Sequence, residues 1–403
     1  MILDFSGGTM SLNHTPSAER IHIGIFGKRN AGKSSVINAL TGQELAIVSD
    51  MKGTTTDPVV KAMELLPLGP VVLIDTPGLD DEGILGEKRV KKAYQMLNKT
   101  DVALLIVDGS VGMTEEDSAI LEKIRAKEIP HIIVFNKEDL VDEKDQTSGV
   151  WVSASTGENI HELKEMIGKL AAKEESDKKL VGDLLKPLDF VVLVTPIDAS
   201  APKGRLILPQ QLTIRDILDV GAVPIVVKDT ELEDMLVKLG VKPNLVITDS
   251  QVFGKVAKIV PRDVPLTSFS ILMARYKGDL KTVVSGACVL DELQDGDTVL
   301  ISEGCTHHRQ CEDIGTVKMP KWVLEHSGKN VRFEFTSGTE FPDELTKYRL
   351  IIHCGGCMLN EREMKYRLKC AEDAGVPITN YGTAIAHMKG ILKRSLEPFG
   401  QEK

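Results

Sequence analysis

Two groups of metal-type ligands lie in the last quarter of the chain: Cys305-Thr306-His307 and His353-Cys354-Gly355-Gly356-Cys357. Together they offer three thiols and two imidazoles, a set that suits a soft metal or an iron–sulfur cluster. A C-x-x-C hook lets two thiolates converge on one metal or one cluster face, and paired glycines leave room for backbone N–H groups to approach the sulfurs. The ligands alone leave several chemistries open. One is a three-cysteine iron–sulfur cluster whose fourth iron is held by a histidine or something labile. A second is structural zinc on Cys305, Cys354, Cys357 and one histidine. A third is a redox dithiol, against which counts the gap between the hook and the helix expected from Glu361. A fourth is a set of buried structural thiols. Among the other cysteines, Cys288 within Val283–Leu290 reads as a buried strand residue, Cys370 as a core residue on a helix, and Cys311 as a spare thiol near Cys305. His308 and His387 read as surface or supporting groups rather than ligands.

A different chemistry sits near the start. Gly27-Lys28-Arg29-Asn30-Ala31-Gly32-Lys33-Ser34 fits the phosphate-binding loop. Its glycines turn backbone N–H groups toward the β-phosphate, and the following helix adds its positive dipole end. Lys33 neutralises the β- and γ-phosphates and Ser34 ligates Mg²⁺. Gly27, Asn30, Ala31, Gly32 and Ser35 complete the phosphate contacts. Asp75-Thr76-Pro77-Gly78 follows an apolar run; Asp75 holds Mg²⁺ through water and the Gly78 N–H senses the γ-phosphate. In Asn136-Lys137-Glu138-Asp139, Asp139 accepts from the N1 and N2 groups of guanine, a pairing adenine cannot offer. Asn136 and Lys137 brace that loop and cover the base. In Ser153-Ala154-Ser155 the Ala154 N–H reaches guanine O6. One of Thr54, Thr55 and Thr56 reaches Mg²⁺ when γ-phosphate is present. This ordered set resembles the translation-factor-related small GTPases, especially the tRNA-modification and ribosome-assembly branch. By that resemblance Thr55 is the Mg²⁺ ligand, and Asn30 helps hold a potassium ion that replaces an arginine finger. Lys33, Thr55 and Asn30 are thus the expected catalytic set. Leu79 stands where Ras-like enzymes place a water-orienting glutamine, so unaided turnover is expected to be slow.

The elements that must position these groups follow from the apolar runs. Ile21–Phe26, Val71–Ile74, Ala103–Val107, His131–Phe135 and Val150–Val152 alternate with helical stretches to about Ala172, the rhythm of a doubly wound α/β sheet. The charged stretch 173–179 reads as a linker or helix end. A shorter α/β rhythm follows, with strands at Phe190–Thr195, Val223–Val227 and Asn244–Thr248 and helices at Leu212–Leu218 and Glu231–Leu239. It carries no catalytic constellation, so packing of two copies is its expected use. A third block begins near Pro265, with strands at Val299–Ser302, Val331–Phe335 and Leu350–His353 and a helix at Glu361–Ala374. Both cysteine groups follow strands, so one sheet edge can bring them together. The expected fold is α/β: a P-loop GTPase sheet at 1–175, a dimerisation domain at 176–264 and a cluster-binding domain at 265–403.

Composition agrees. A chain of 403 residues suits two to four domains. Its formal charge of −10, from 49 basic and 59 acidic residues, argues against nonspecific nucleic-acid binding. No apolar run approaches the roughly 18 residues of a membrane span. The first 20 residues lack the features of a signal peptide, and a cytoplasmic location is expected. There, six cysteines read as ligands or reduced thiols rather than disulfides.

The pattern C-x-H, then H-C-x-x-C, downstream of a GTPase domain, resembles the [FeFe]-hydrogenase maturation GTPases. The stretches that carry it are Ile23–Ser34, Glu303-Gly304-Cys305-Thr306-His307-His308 and Ile351–Met358, and the likeness covers essentially the whole chain in the same domain order. It implies a homodimer with a [4Fe-4S] cluster on Cys305, Cys354 and Cys357. It further implies a scaffold that receives a di-iron precursor built with two radical-SAM maturases and hands it to the apo-hydrogenase. The competing reading is a ribosome- or RNA-associated GTPase with a structural zinc module. The acidic balance and the lack of a basic or aromatic stripe count against it.

Overall fold

The computed structural model describes residues 19–42, 59–65, 68–78, 93–141, 149–172, 178–196, 206–304, 314–338 and 340–400. Thr54, Thr55, Thr56, Leu79, Cys305, Thr306, His307, His308 and Cys311 lie outside the described residues. The chain divides into two compact units, Met1–Ser176 and Asp177–Lys403.

In the first unit the apolar runs become a six-stranded sheet. Its strands are β1 (Ile21–Phe26), β2 (Val59–Leu65), β3 (Gly69–Asp75), β4 (Val102–Asp108), β5 (His131–Asn136) and β6 (Val150–Trp151), in the order β2-β3-β1-β4-β5-β6. All pairs are parallel except β2 with β3. A parallel sheet must be covered on both faces, which is why its strands read as unbroken apolar runs. Residues 102 to 107 are all fully buried. On one face Ile23, Ile25, Leu104 and Ile106 pack with residues of helices α1 (Lys33–Thr41) and α3 (Ile160–Ala172). On the other, Phe26, Leu105 and Val107 pack with Ile120 and Ile124 of α2 (Glu115–Ala126). This is the expected doubly wound sheet. Parallel pairing gathers the carboxyl ends of β1, β3, β4, β5 and β6 at one edge.

The second unit holds two four-stranded parallel sheets. The first has β7 (Phe190–Val194), β8 (Val223–Val227), β9 (Leu245–Thr248) and β10 (Leu266–Ser268), in the order β10-β9-β7-β8. The second has β11 (Thr298–Ser302), β12 (Arg332–Thr336), β13 (Leu350–His353) and β14 (Ile378–Asn380), in the order β12-β11-β13-β14. Between and beside them run α4 (Leu208–Asp219), α5 (Leu232–Leu239), α6 (Phe253–Ile259), α7 (Phe269–Lys277), α8 (Leu280–Cys288), α9 (Met319–Ser327), α10 (Glu361–Asp373), α11 (Tyr381–Met388) and α12 (Leu392–Leu396). The first of these sheets continues past residue 264, because β10 pairs with β9. Cys288, expected as a buried strand residue, is instead the exposed last residue of α8. The helix wins because Val283, Gly286 and Ala287 bury one helical face, and the Asp279 carboxylate caps the amino end by accepting from Lys281 N and Thr282 N.

The two small sheets are bound together by the last helices. Ala386 of α11, with Ile391, Leu392 and Leu396, packs into the core formed by Val192, Val194 and Val246. Buried Arg394 of α12 donates to the carbonyls of Ala257 (2.8 Å), Val260 (3.0 Å) and Pro261 (2.6 Å) at the end of α6. Those carbonyls have no intrahelical partner, and a cation at a helix carboxyl end also meets the favourable dipole. Arg394→Met should therefore leave the Ala257 and Val260 carbonyls without this donor, while Pro261 O keeps its bond from Val264 N, costing roughly 2–4 kcal/mol. Guanidinium unfolding of the full chain should show an earlier transition for the second unit. A shift worth less than about 0.5 kcal/mol, the scale of an ordinary surface change, would show that Arg394 does not anchor the two sheets.

Candidate functional site

A cleft of about 710 Å³ opens in the first unit, its lining including Asn30, Gly32, Asn136, Asp139 and Ala154. The phosphate loop leaves β1 and enters α1 through Gly32, whose left-handed backbone (φ 89°) and close approach to the Asn136 amide exclude any side chain. Asn30 is also left-handed (φ 63°), which asparagine tolerates better than most residues. Lys33 Nζ donates to the carbonyls of Gly27 (2.9 Å) and Lys28 (2.7 Å), so the loop itself holds the ammonium. Ser34 Oγ lies 3.3 Å from Asp75 Oδ2. Burial raises the Asp75 carboxyl above its ordinary value, against the pull of Lys33. A hydroxyl beside a carboxylate is the oxygen donor set that Mg²⁺ takes.

Asn136 is the tie between the loops. Its Nδ2 donates to Ala31 O and its Oδ1 accepts from Ala154 N, each at 3.1 Å. The Ala154 N–H, expected to reach guanine O6, is bonded here to Asn136 Oδ1. Asp139 Oδ1 accepts from Ser153 Oγ at 2.6 Å, which holds its carboxylate below the usual range and fixes it as an acceptor. Lys137, expected over the base, is ion-paired with Asp108 at the end of β4. Gly27 directly follows β1, and Gly78 lies three residues past the end of β3.

The second constellation lies at the carboxyl ends of β11 and β13. Cys354 follows β13, and its N–H donates to Ser302 O at 2.9 Å, carrying the ladder one residue further. The Cys354 sulfur accepts from Gly304 N at 3.1 Å and Gly356 N at 3.4 Å. Gly304, the residue before Cys305 in sequence, thus lies against the hook. Gly356 is left-handed (φ 65°) and faces Met364, which leaves no room for a Cβ. Burial pushes the Cys354 thiol up to about 11 and raises Cys357, where the charge of buried Lys277 works in the opposite direction. Sulfurs that already accept backbone N–H groups suit a cluster or a thiolate-bound metal.

His353, expected as a metal ligand, has both ring nitrogens engaged. Nδ1 is 2.7 Å from Cys354 O, and Nε2 is 3.0 Å from Arg367 Nη1. Burial and the neighbouring guanidinium lower its pKa to about 3, so the ring is neutral, donating from Nδ1 and accepting at Nε2. Arg367 is itself fully buried. It pairs with Glu363 at 2.9 Å and donates to Gly338 O (2.7 Å) and Ser302 Oγ (3.3 Å). The hook therefore stands on a buried ion pair that the sequence reading missed. The only signal was Glu363 and Arg367 at helical i,i+4 spacing, which reads equally well as a solvated helix face.

Family comparison divides the chain in three. Residues 22–137 match the model of a 50S ribosome-binding GTPase, 180–278 the hydrogen maturase F dimerization domain, and 281–398 the hydrogen maturase F tetramerization domain. The tRNA modification GTPase MnmE of Dichelobacter nodosus is 36% identical over 167 residues, which are 39% of this chain and 36% of that protein. The Chromobacterium violaceum MnmE is 39% identical over 167 residues, covering 39% and 37%. The chain thus spans little more than a third of the length of these relatives. A crystal structure of Aquifex aeolicus Era bound to GDP and AlF4⁻ is 23% identical, covering 51% of this chain and 92% of that one, at a TM-score of 0.35.

Asp139→Asn should exchange the base preference. Losing the charged acceptor for two guanine N–H groups should weaken GTP binding by roughly 10- to 100-fold, the scale of a charge-assisted hydrogen bond. The new amide can donate to the xanthine carbonyl, so xanthosine triphosphate should bind better than GTP. Displacement of a fluorescent nucleotide measures both. Equal binding of ATP and GTP by the unaltered chain would defeat the assignment.

Proposed function

The chain belongs to the hydrogen maturase F family, and on that premise we propose that it is a GTP-hydrolysing scaffold that holds a [4Fe-4S] cluster and passes a di-iron precursor to apo-[FeFe]-hydrogenase. Its coarser identity, a hydrogenase-maturation GTPase that uses GTP with Mg²⁺, rests on the matched domains. The observation that supports the finer reading is the Gly304 N–H on the Cys354 sulfur, which sets the residue before Cys305 against the hook.

In this reading Cys305, Cys354 and Cys357 hold the cluster, with His307 beside the fourth iron. His353 is a positioning residue: it fixes the Cys354 carbonyl and is itself fixed by Arg367. The bound cluster supplies an iron without a thiolate, to which the cargo can attach. In the GTPase unit, Lys33 neutralises the β- and γ-phosphates, while Ser34, Thr55 and Asp75 arrange Mg²⁺. Asn30 holds K⁺ beside the phosphates in place of an arginine finger, and Asn136 keeps the phosphate loop and the 153–155 loop in register. The division expected at 1–175, 176–264 and 265–403 gives these tasks to a GTP-binding, a dimerisation and a cluster-binding domain, with β10 (Leu266–Ser268) belonging to the sheet of the second. The homodimer uses the edge strand β8, where Val226 is exposed, with exposed Leu218 and Val237 on the flanking helices. The two radical-SAM maturases and the apo-hydrogenase are the partners, and the cytoplasm is the place of action. Neither nucleic acid nor membrane is a partner, and among the described residues no helix is long and apolar enough to cross a membrane.

Substitution at each ligand tests the cluster. After anaerobic reconstitution, Cys305→Ala, Cys354→Ala and Cys357→Ala should each lose most of the bound iron. His307→Ala should keep iron with an altered paramagnetic resonance spectrum. His353→Ala should keep it but bind it roughly 10- to 100-fold more weakly, as expected for a residue that orients a ligand. Colourless protein with one zinc and no sulfide would overturn the cluster reading.

Potassium tests the phosphate site. GTP turnover in K⁺ should exceed that in Na⁺ by on the order of tenfold or more, since a cation there meets charge that develops during hydrolysis. Asn30→Ala should abolish the difference. A rate indifferent to the cation would reject the potassium site while leaving the GTPase assignment intact.

A further inference from the structure

A second ligand group stands apart from the cysteine hook. Asp291, His326 and His387 each offer one ligand atom, and these atoms all lie within 4.8 Å of one another. Asp291 Oδ1 is 2.7 Å from His326 Nε2, and Asp291 Oδ2 is 2.9 Å from His387 Nε2. The two imidazoles meet edge to face with centroids 5.7 Å apart. The three residues come from three elements: the turn Val289–Glu292, the last turn of α9 and the last turn of α11. The turn leads into β11 and α9 leads into β12. Asp291 and His326 therefore belong to the amino edge of the last sheet, whereas the hook sits at its carboxyl edge.

The chemistry favours more than a hydrogen-bonded clasp. Two imidazole nitrogens and a carboxylate are the donor set of Zn²⁺ and related borderline ions, and both rings present the same atom, Nε2, to the same carboxylate. Zinc–nitrogen and zinc–oxygen bonds of about 2.0–2.2 Å place tetrahedral ligand atoms roughly 3.3 Å apart. His326 and His387 approach different oxygens of Asp291, at 2.7 and 2.9 Å, so an ion would seat between the two rings with the carboxylate turned to offer one oxygen or both. The histidine side chains are 24% and 17% exposed and the carboxylate 58%, so the group lies at the surface and can spread.

We infer that Asp291, His326 and His387 form a binding site for a divalent first-row transition ion, with at least one coordination position open to solvent. The ion replaces the protons between the carboxylate and the rings. It joins α9, α11 and the turn before β11 through one centre, within the segment matched by the tetramerization model. The open position is available to water or to a ligand atom of another chain. This site is independent of whether the hook carries a cluster.

Cobalt(II) is the probe, because its spectrum reports the donor type. The full chain, with its cluster reconstituted, should bind one equivalent with the weak visible bands of nitrogen and oxygen coordination and no thiolate charge-transfer band. Excess Zn²⁺ should displace it. His326→Gln and His387→Gln should each lower cobalt affinity by about tenfold or more, with iron content unchanged as the check on folding. If a histidine variant fails that check, Asp291→Asn at the exposed carboxylate repeats the comparison. The inference is overturned if the unaltered chain binds no cobalt, if the bound cobalt shows only the thiolate band, or if affinity survives in the folded variants.

Discussion

Parallel strand pairing is the constraint on which both sites depend. Every strand pair among the described residues is parallel except β2 with β3. Each strand must therefore be re-entered from its amino end, and the loops that leave the carboxyl ends collect along one edge. That edge brings Ala31, Asn136 and Ala154 within single hydrogen bonds of one another across more than a hundred residues of sequence. The same geometry in the last sheet sets Gly304 against the Cys354 sulfur. Neither meeting needs a special fold; both follow from the direction in which neighbouring strands run.

Position alone does not fix chemistry, and buried charge supplies the rest. A buried guanidinium is costly unless its hydrogen-bonding groups are met. Arg367 meets this demand with Glu363, His353, Ser302 and Gly338, all around the end of β13. The result is a rigid floor beneath the hook and a neutral, oriented His353. Asn136 does the equivalent work in the nucleotide site without charge. In each case one buried side chain holds the neighbouring loop in place.

The first unit was largely legible because its chemistry demands particular residues at particular strand ends. The phosphate loop, Asp75, Asn136 and Asp139 could be placed from their types and from the apolar runs before them. The hook was legible for the same reason. The short strands β10 and β14, three residues each, are too brief to show alternation, and β2 is a half-exposed edge. Cys288 was misplaced because an apolar run without clear period fits a strand or a helix equally. Arg367, Arg394 and the Asp291–His326–His387 group were illegible for another reason. Their residue types are ordinary, and apart from Glu363, four residues from Arg367, the partners that identify them lie 14 to 137 residues away along the chain. The engaged state of His353 likewise depends on Arg367, which no local pattern announces.

The grip of Arg394 on α6 bears on the order in which the protein is made. The carbonyls it satisfies belong to residues 257 to 261, yet Arg394 leaves the ribosome more than 130 residues later. At synthesis rates of about 5–20 residues per second, that interval is on the order of ten seconds. During it, the sheet of β7 to β10 is complete in sequence but lacks the helix that closes its core. The GTPase unit has all its strands by then and can fold as it emerges. The two later sheets must wait for each other, so the cysteine hook and the apolar edge at β8 mature together, once Arg394 has emerged.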